Sequence, residues 1–484
     1  MANKRKIILF GAGGIVALLF LGAAAVVLFV DVNTHKPWLE AAASDALGME
    51  VRIGGRMGIG FFPGFHVTLE DIRIRNREAD VASAKETILG IELLPLLHKE
   101  LRIVRIGMKH PRISIEQDRD GKFNFETPGE ESGKKTAWET KGRRFSLDVT
   151  KISFSDGALF YADKKTDEVL EAGDFSLDVN RLRFTGGKTQ DLLKNLSFAA
   201  EFDCKEFRKG SLAISNLKLR IEGKDGIFDF HPVTMRLFGG QGSGSLRADF
   251  SGSVPQYHVR YSLSRFRIEE FLKTLSPKKA AEGSMDFSST LAMSGKTTIE
   301  MKRSAGGEVS LRGENLTLDG IDLDRTSFRY ESSQSFNLVD VGAFFFAGPF
   351  APLITKAYNF ASIYRGTGGS SRIRTLVSEW KVERGIAQPK DVALATNKNR
   401  IALKGSLDFV HERFNDVIVA VVDEKGCATV RQKIRGPFAN PVVENVSVIQ
   451  TVAGPMLNLF KQTKKLLGGQ CEVFYAGSVT PPTR

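Results

Sequence analysis

Most of this chain alternates. RRFSLDVTKISF sets Phe145, Leu147 and Val149 on one side, with polar residues between them. DFSLDVNRLRF continues the habit with Phe175, Leu177 and Val179, then Leu182 and Phe184. GSLAISNLKLRIEG gives Leu212, Ile214, Leu217, Leu219 and Ile221, and VTMRLFGGQGSGSLRADFSG gives Val233, Met235 and Leu237, then Leu246, Ala248 and Phe250. HVRYSLSRFRI, EVSLRGENLTLDGIDL and RIALKGSLDF repeat the pattern. A period of two marks strands with one apolar and one polar face. A sheet of many such strands must either cover its apolar face or use it.

Helical patterns are short. Pro37 suits a first turn and Gly48 a stop, which predicts a helix over Pro37–Leu47. A second is predicted over Ala82–Leu97, and others over 268–275, 352–364 and 454–467. The last is amphipathic, with Met456, Leu457, Phe460 and Leu466 near one face. VRIGGRMGIGFFPGFHVTLEDIRIRN reads as strands, with Val67, Leu69, Ile72 and Ile74 near strand spacing. The polar, turn-rich stretch at 116–144 reads as loop or linker.

The N-terminus is different in kind. Ile7 to Val30 contains no charged, amide or hydroxyl side chain. As a helix it would span roughly 36 Å at about 1.5 Å per residue, enough for a hydrocarbon core of about 30 Å. Within it, KIILFGAGGIVA suggests a dinucleotide fingerprint. Gly11 and Gly13 fit, but the third glycine position holds Val16, and no amphipathic helix follows. A membrane anchor is the better reading. Lys4, Arg5 and Lys6 precede the span, which keeps the N-terminus cytoplasmic and exports the rest. A cleaved signal peptide is the rival, with small residues at Ala23 to Ala25, although its apolar region usually runs only about 7–15 residues.

Composition adds little chemistry. Across 484 residues the net charge is +12. Export argues against nucleic acid, and the basic residues are scattered through RIRNRE at 73–78, RLRF at 181–184 and RIR at 372–374, as on a solvated strand face. Attraction to anionic lipid headgroups is the secondary reading. The seven histidines form no metal-binding spacing, no G-x-S-x-G is present, and no cofactor, metal or catalytic residue is expected. GGQGSG at 239–244 is flanked by strands and predicts a tight hairpin turn. Of the three cysteines, Cys204 falls on an apolar face as a buried free thiol. In an oxidising compartment Cys427 and Cys471 can pair as a disulfide.

Several stretches together resemble the AsmA family. They are KPWLEAAASDALGMEVRIGG, FPGFHVTLEDIRIRN, the run from ILGIELLPLLHKELRIVRIG to DGKFNFE, LFGGQGSGSLRADFSGSVPQYHVRYSLSRFRIEEFL, and GSLDF followed by IRGPFANPVV. The family is similar to bridge-like lipid-transfer proteins. The resemblance implies a mainly β fold with short helices, in which a long curved antiparallel sheet forms an open apolar groove behind one N-terminal transmembrane helix. It implies an inner-membrane-anchored periplasmic protein that binds and transfers phospholipid, or another acyl-chain lipid, between membranes to maintain the outer membrane. An outer-membrane or periplasmic protein partner fits this picture. About twenty strands at about 4.8 Å make a trough of roughly 100 Å, shorter than in the larger family members. The alternative is a non-enzymatic assembly factor for outer-membrane proteins.

The expected groove residues are Phe145, Leu147, Val149, Phe175, Leu177, Val179, Leu212, Ile214, Leu246 and Phe250. The expected organisation is a tail over 1–6, an anchor over 7–30, a capping helix with first groove strands over 31–130 and a linker over 131–144. A central groove follows over 145–400, then C-terminal strands and an amphipathic helix over 401–484.

Overall fold

The computed structural model describes residues 32–62, 64–76, 79–97, 102–126, 146–185, 193–274, 281–320, 322–324, 345, 369–448 and 471–482. The anchor expected over Ile7–Val30, the linker, Phe145 and the helices expected over 352–364 and 454–467 lie outside them. Among the described residues no helix is long and apolar enough to cross a membrane. The fold is mainly β, a curved mixed sheet with few short helices. Contacts divide the chain into two compact units, one ending at Gly226 and the other starting at Ile227. That division falls inside the stretch expected as one central groove, at the turn Asp225–Gly226, where composition shows no break.

The first unit opens with a 3-10 turn, Val32–His35, and α1, Lys36–Leu47, which stops at Gly48 in the left-handed region (φ 65°). Beside them lie β1 (Glu50–Ile53) and β2 (Met57–Gly60), both antiparallel to β3 (His66–Asn76). Side chains of this opening segment satisfy the outer strands. Glu40 Oε1 accepts from Ile53 N–H at 2.7 Å, Ser44 Oγ from Val51 N–H at 2.8 Å, and Asn33 Oδ1 from Met57 N–H at 3.0 Å. An otherwise open sheet edge is thereby blunted. Leu39 of α1 packs on Ile53, Met57 and Leu69, covering the apolar face at this end.

β4 (Ala79–Ile91) pairs with β3 and is followed by α2 (Leu93–Leu97). The helix expected over Ala82–Leu97 is therefore mostly strand. Ala, Lys and Glu favour helix locally, but β4 is paired on both sides, and that pairing overrides propensity. β5 (Ile103–Lys109) and β6 (Arg112–Gln117) share the next place, beside β7 (Ser146–Asp163). Both run parallel to β7, so the sheet is mixed and not wholly antiparallel as expected. A parallel neighbour needs a long crossover, and residues 118–145 have that length. β8 (Glu168–Thr185), β9 (Leu196–Lys209) and β10 (Leu212–Lys224) complete the unit as an antiparallel meander.

The second unit is antiparallel throughout its described strands, most of which lie beside their sequence neighbours. They run β11 (Ile227–Leu237), β12 (Gly240–Asp249), β13 (Gln256–Arg267), β14 (Ala281–Glu282), β15 (Ser284–Ser294), β16 (Gly306–Asp319), β17 (Ser370–Glu383), β18 (Ile386–Ala395), β19 (Arg400–Asp408), β20 (Arg413–Val422) and β21 (Ala428–Pro437). The two-residue β14 instead pairs with β16, and β13 pairs with β15. The short strands β22 (Val442–Val443) and β23 (Ser447–Val448) line the outer side of β21. α3 (Ile268–Lys273) and α4 (Thr298–Ser304) interrupt the meander. The GGQGSG stretch is only partly turn. Phe238 and Gly239 (φ 50° and 76°) make the two-residue connection, and Gly240, Gly242 and Gly244 belong to β12. A Cβ on Gly242 would meet Tyr261 Oη at 2.6 Å and Met235 Cγ at 2.9 Å, so neighbouring side chains occupy the space the glycine leaves.

Candidate functional site: the open apolar face

Alternation slips in β3, β7, β8 and β10 at Asp71, Asp156, Asp174 and Asn216, all in the left-handed region with φ between 50° and 54°, and β8 slips again at Arg181 (φ 53°). Asp and Asn tolerate that conformation better than most. Asp156 and Asp174 each insert one residue into their strand, whereas at Asp71 and Asn216 the partner strand slips as well and the register holds; all four re-aim the side chains that follow. The slips from Leu69 to Ile72 and from Ile214 to Leu217 thus keep large side chains on one face along a bent strand.

Register then builds rows across β7–β10. Phe154 faces Leu177, Leu177 faces Phe202 and Phe202 faces Leu219. Beside that row run Ile152, Val179, Ala200 and Ile221, and on its other side Gly157, Phe175, Cys204 and Leu217. Phe175 and Phe202 stack with ring centroids 6.0 Å apart. The opposite face is ionic. Lys151 pairs with Asp178 at 3.3 Å, Arg220 with Glu201 at 2.8 Å and Lys218 with Asp203 at 2.9 Å. These exposed pairs are each worth under about 1 kcal/mol; they identify the face turned to water.

The apolar rows are incompletely covered. Phe154, Leu177, Phe202, Phe207, Leu217 and Leu219 are all half-buried, while the smaller Ala172, Ala200 and Cys204 at their feet are buried. A cleft of about 580 Å³ opens across β4, β6, β7, β8 and β9, where Ala82, Ile113, Leu159 and Ala172 lie with the charged Asp80, Arg112, Glu171, Glu206 and Arg208. In the second unit, Phe230, Leu246, Val259 and Leu291 form a comparable half-buried row across β11, β12, β13 and β15. Tyr261 lies beside it. Burial raises its hydroxyl above the ordinary phenol value, and the hydroxyl has no hydrogen-bond partner among the described residues.

From β16 to β21 the picture reverses. Leu311, Leu318, Ile373, Trp380, Leu407 and Val417 are sealed in one core with Phe345. Trp380 Nε1 donates to Ser378 Oγ at 2.7 Å, and Ser378 Oγ donates to Phe345 O at 2.9 Å. The other face is also covered. Residues 471–482 lie as a strap over Val377, Ala393, Ala395, Ala402 and Ala420, with Tyr475 and Val479 packed on them. RIALKGSLDF was expected to keep a polar face; its β19 is buried on both, because the small Ala402 between Ile401 and Leu403 lets the strap approach. A disulfide joins Cys427 to Cys471, with Cα atoms 6.0 Å apart. Tyr475 Oη donates to Asp391 Oδ1 at 2.6 Å, and Arg400 donates to Val479 O at 3.0 Å.

The expected groove residues therefore divide. Phe175 and Val149 are buried at the base of the face, at 6% and 3% exposure. Leu177, Val179 and Ile214 lie half-buried within it. Leu212 sits at its rim, opposite Lys209, which pairs with Glu168 at 3.0 Å. Leu246 and Phe250 belong to the second unit, where Phe250 packs edge-on against Phe228 and Tyr257. The backbone of Leu147 pairs with Phe184, and Phe145 lies outside the described residues. Ile152, Phe154 and Phe207 were missed. KISFSDGALF carries the signal of Ile152 and Phe154, but the bulge at Asp156 breaks its alternation. Cys204 is buried and unpaired; burial raises its thiol above the ordinary value. Among the described residues no cluster of three or more His, Cys, Asp or Glu can hold a metal ion.

The sequence profile of the AsmA family matches residues 1–189 and 182–340. The chain belongs to the AsmA family. No curated protein and no solved structure matches it. AsmA membership accords with an envelope-associated role, and in this AsmA protein the half-buried rows fall within the matched residues.

Proposed function

We propose that this protein carries phospholipid, or another acyl-chain lipid, between membranes and so maintains the outer membrane. In this reading Ile7–Val30 anchors it in the inner membrane with the N-terminus cytoplasmic and the bulk periplasmic. The observation that carries the proposal is the contrast in burial. Bulky side chains on β7–β10 are aligned in rows and left half-buried, whereas those on β16–β21 are sealed. An acyl chain laid along the open rows gains about 0.8 kcal/mol per buried methylene. Its headgroup stays in water, so movement needs neither a cofactor nor a covalent step.

The sealed region favours a second reading for that part of the chain. A closed core beneath a disulfide-tied strap suits a rigid platform for an outer-membrane or periplasmic protein, as an assembly factor would need. Full-length protein purified in detergent from a bacterial envelope tests both. The lipid reading expects bound phospholipid by mass spectrometry and protein-dependent transfer between vesicles. Lipid-free protein that still restores outer-membrane integrity in cells would overturn it in favour of the platform.

A further inference from the structure

One corner of the first unit exposes large apolar side chains together. Phe62 is 90% exposed, Leu94 76% and Leu93 48%. Phe62 lies in the turn between β2 and β3, and Leu93 and Leu94 open α2. The register Gly60–His66–Gly90 puts that turn and the end of β4 side by side, and Ile91 N–H donates to Phe65 O at 2.9 Å. Trp38, in the first turn of α1, is 71% exposed.

The chain enters from this side. Asn33 Oδ1 accepts from Met57 N–H, and Lys36 Nζ donates to Gly55 O at 3.2 Å, so the start of the described chain lies along β2. Only Asp31 separates Val32 from the apolar stretch ending at Val30. A single residue spans at most about 3.6 Å. If Ile7–Val30 crosses a bilayer, the bilayer surface lies against β2 and the turn at its end. Exposed Phe and Leu gain there by leaving water, and Trp favours the interface itself.

We infer that Phe62, Leu93 and Leu94 form a membrane-inserting corner, with Trp38 further along the same sheet edge, that seats this edge on the bilayer holding Ile7–Val30. The inference rests on the anchored reading above and adds a second contact to the tether, one that fixes the orientation of the sheet. The occupant is a lipid surface and not a protein, because the connection to the apolar stretch leaves no room for an intervening domain.

The test uses the full-length chain carrying Phe62→Cys, Leu94→Cys or, as control, Val169→Cys. Val169 is the second residue of β8, at the opposite strand ends from Phe62, and is exposed. Cys204 is buried and Cys427 is paired with Cys471, so the introduced thiol takes an environment-sensitive fluorophore. Each variant is reconstituted into phosphatidylethanolamine–phosphatidylglycerol vesicles, with and without brominated acyl chains. The expected result is a blue shift and severalfold quenching at positions 62 and 94, with neither at 169. Carbonate-resistant protein with no quenching at 62 and 94, or with equal quenching at all three positions, overturns the corner and leaves the anchor standing. Protein that carbonate extracts, with no quenching, overturns both.

Discussion

Leu219→Asp places a charge at the end of the row Phe154–Leu177–Phe202–Leu219. Strands about 4.8 Å apart make that row roughly 14 Å long, about the reach of ten methylenes. On a half-covered face each gains about half of the usual 0.8 kcal/mol, so the row contributes about 4 kcal/mol to holding one acyl chain. A carboxylate there either stays hydrated and displaces the chain or loses water without a partner, which costs more than the about 2–7 kcal/mol of a neutral polar group. A net loss of about 3 kcal/mol is roughly a hundredfold in affinity. Leu219 is half-buried and belongs to no sealed core, so the fold survives, which circular dichroism and a cooperative melt check. Titration with a fluorescent phospholipid, together with bound lipid counted by mass spectrometry, reads the effect. Leu219→Met keeps the apolar volume and retains wild-type binding. Arg220→Ala, on the ionic face, breaks only the pair with Glu201 and also retains it. A folded Leu219→Asp protein with wild-type lipid content and affinity refutes the reasoning.

Further expectations concern the fold that holds this face. Cys471→Ser opens a loop of sequence separation 44, and the chain-entropy relation puts the loss of stability near 4 kcal/mol, read by urea denaturation without reductant. In the native, unreduced protein thiol reagents label neither Cys427 nor Cys471, and Cys204 reacts only after unfolding. Asn216→Val forces a β-branched residue into the left-handed region and costs about 1–2 kcal/mol, whereas Asn216→Gly is close to neutral; thermal melts compare them. Burial opposes ionisation of Asp391, but hydrogen bonds from Ser478 N–H and Tyr475 Oη outweigh it and hold the carboxyl below its ordinary value. Its stabilising contribution is therefore complete above about pH 4 and fades as pH falls through the lowered folded value. Asp391→Asn should be less stable than wild type at neutral pH and lose less on acidification, as a pH series of melting midpoints will show.

Strand-rich architecture was legible because alternation survives even where tertiary structure is unknown. The face was legible for the same reason: Phe175, Leu177 and Val179 share a side in the sequence and in the sheet. Helix α1 was legible from Pro37 and Gly48. The bulges were visible only as slips in parity, since an Asp in the left-handed region looks like any surface Asp. The parallel placement of β7 had no local signal, because it depends on where the crossover of 118–145 returns. β4 was misread because Ala, Lys and Glu favour helix until partners on both sides claim the backbone. The double burial of β19 hid in Ala402, which reads as neutral until the strap lies on it.

The most direct measurement places a photo-crosslinking amino acid in living cells at Phe202 or Leu219 on the apolar rows, and at Glu201 or Arg220 on the ionic face. After irradiation the protein is purified and its adducts identified by mass spectrometry. The account predicts phospholipid adducts at 202 and 219 and none at 201 and 220. Adducts absent from 202 and 219, or equally abundant on both faces, would contradict it.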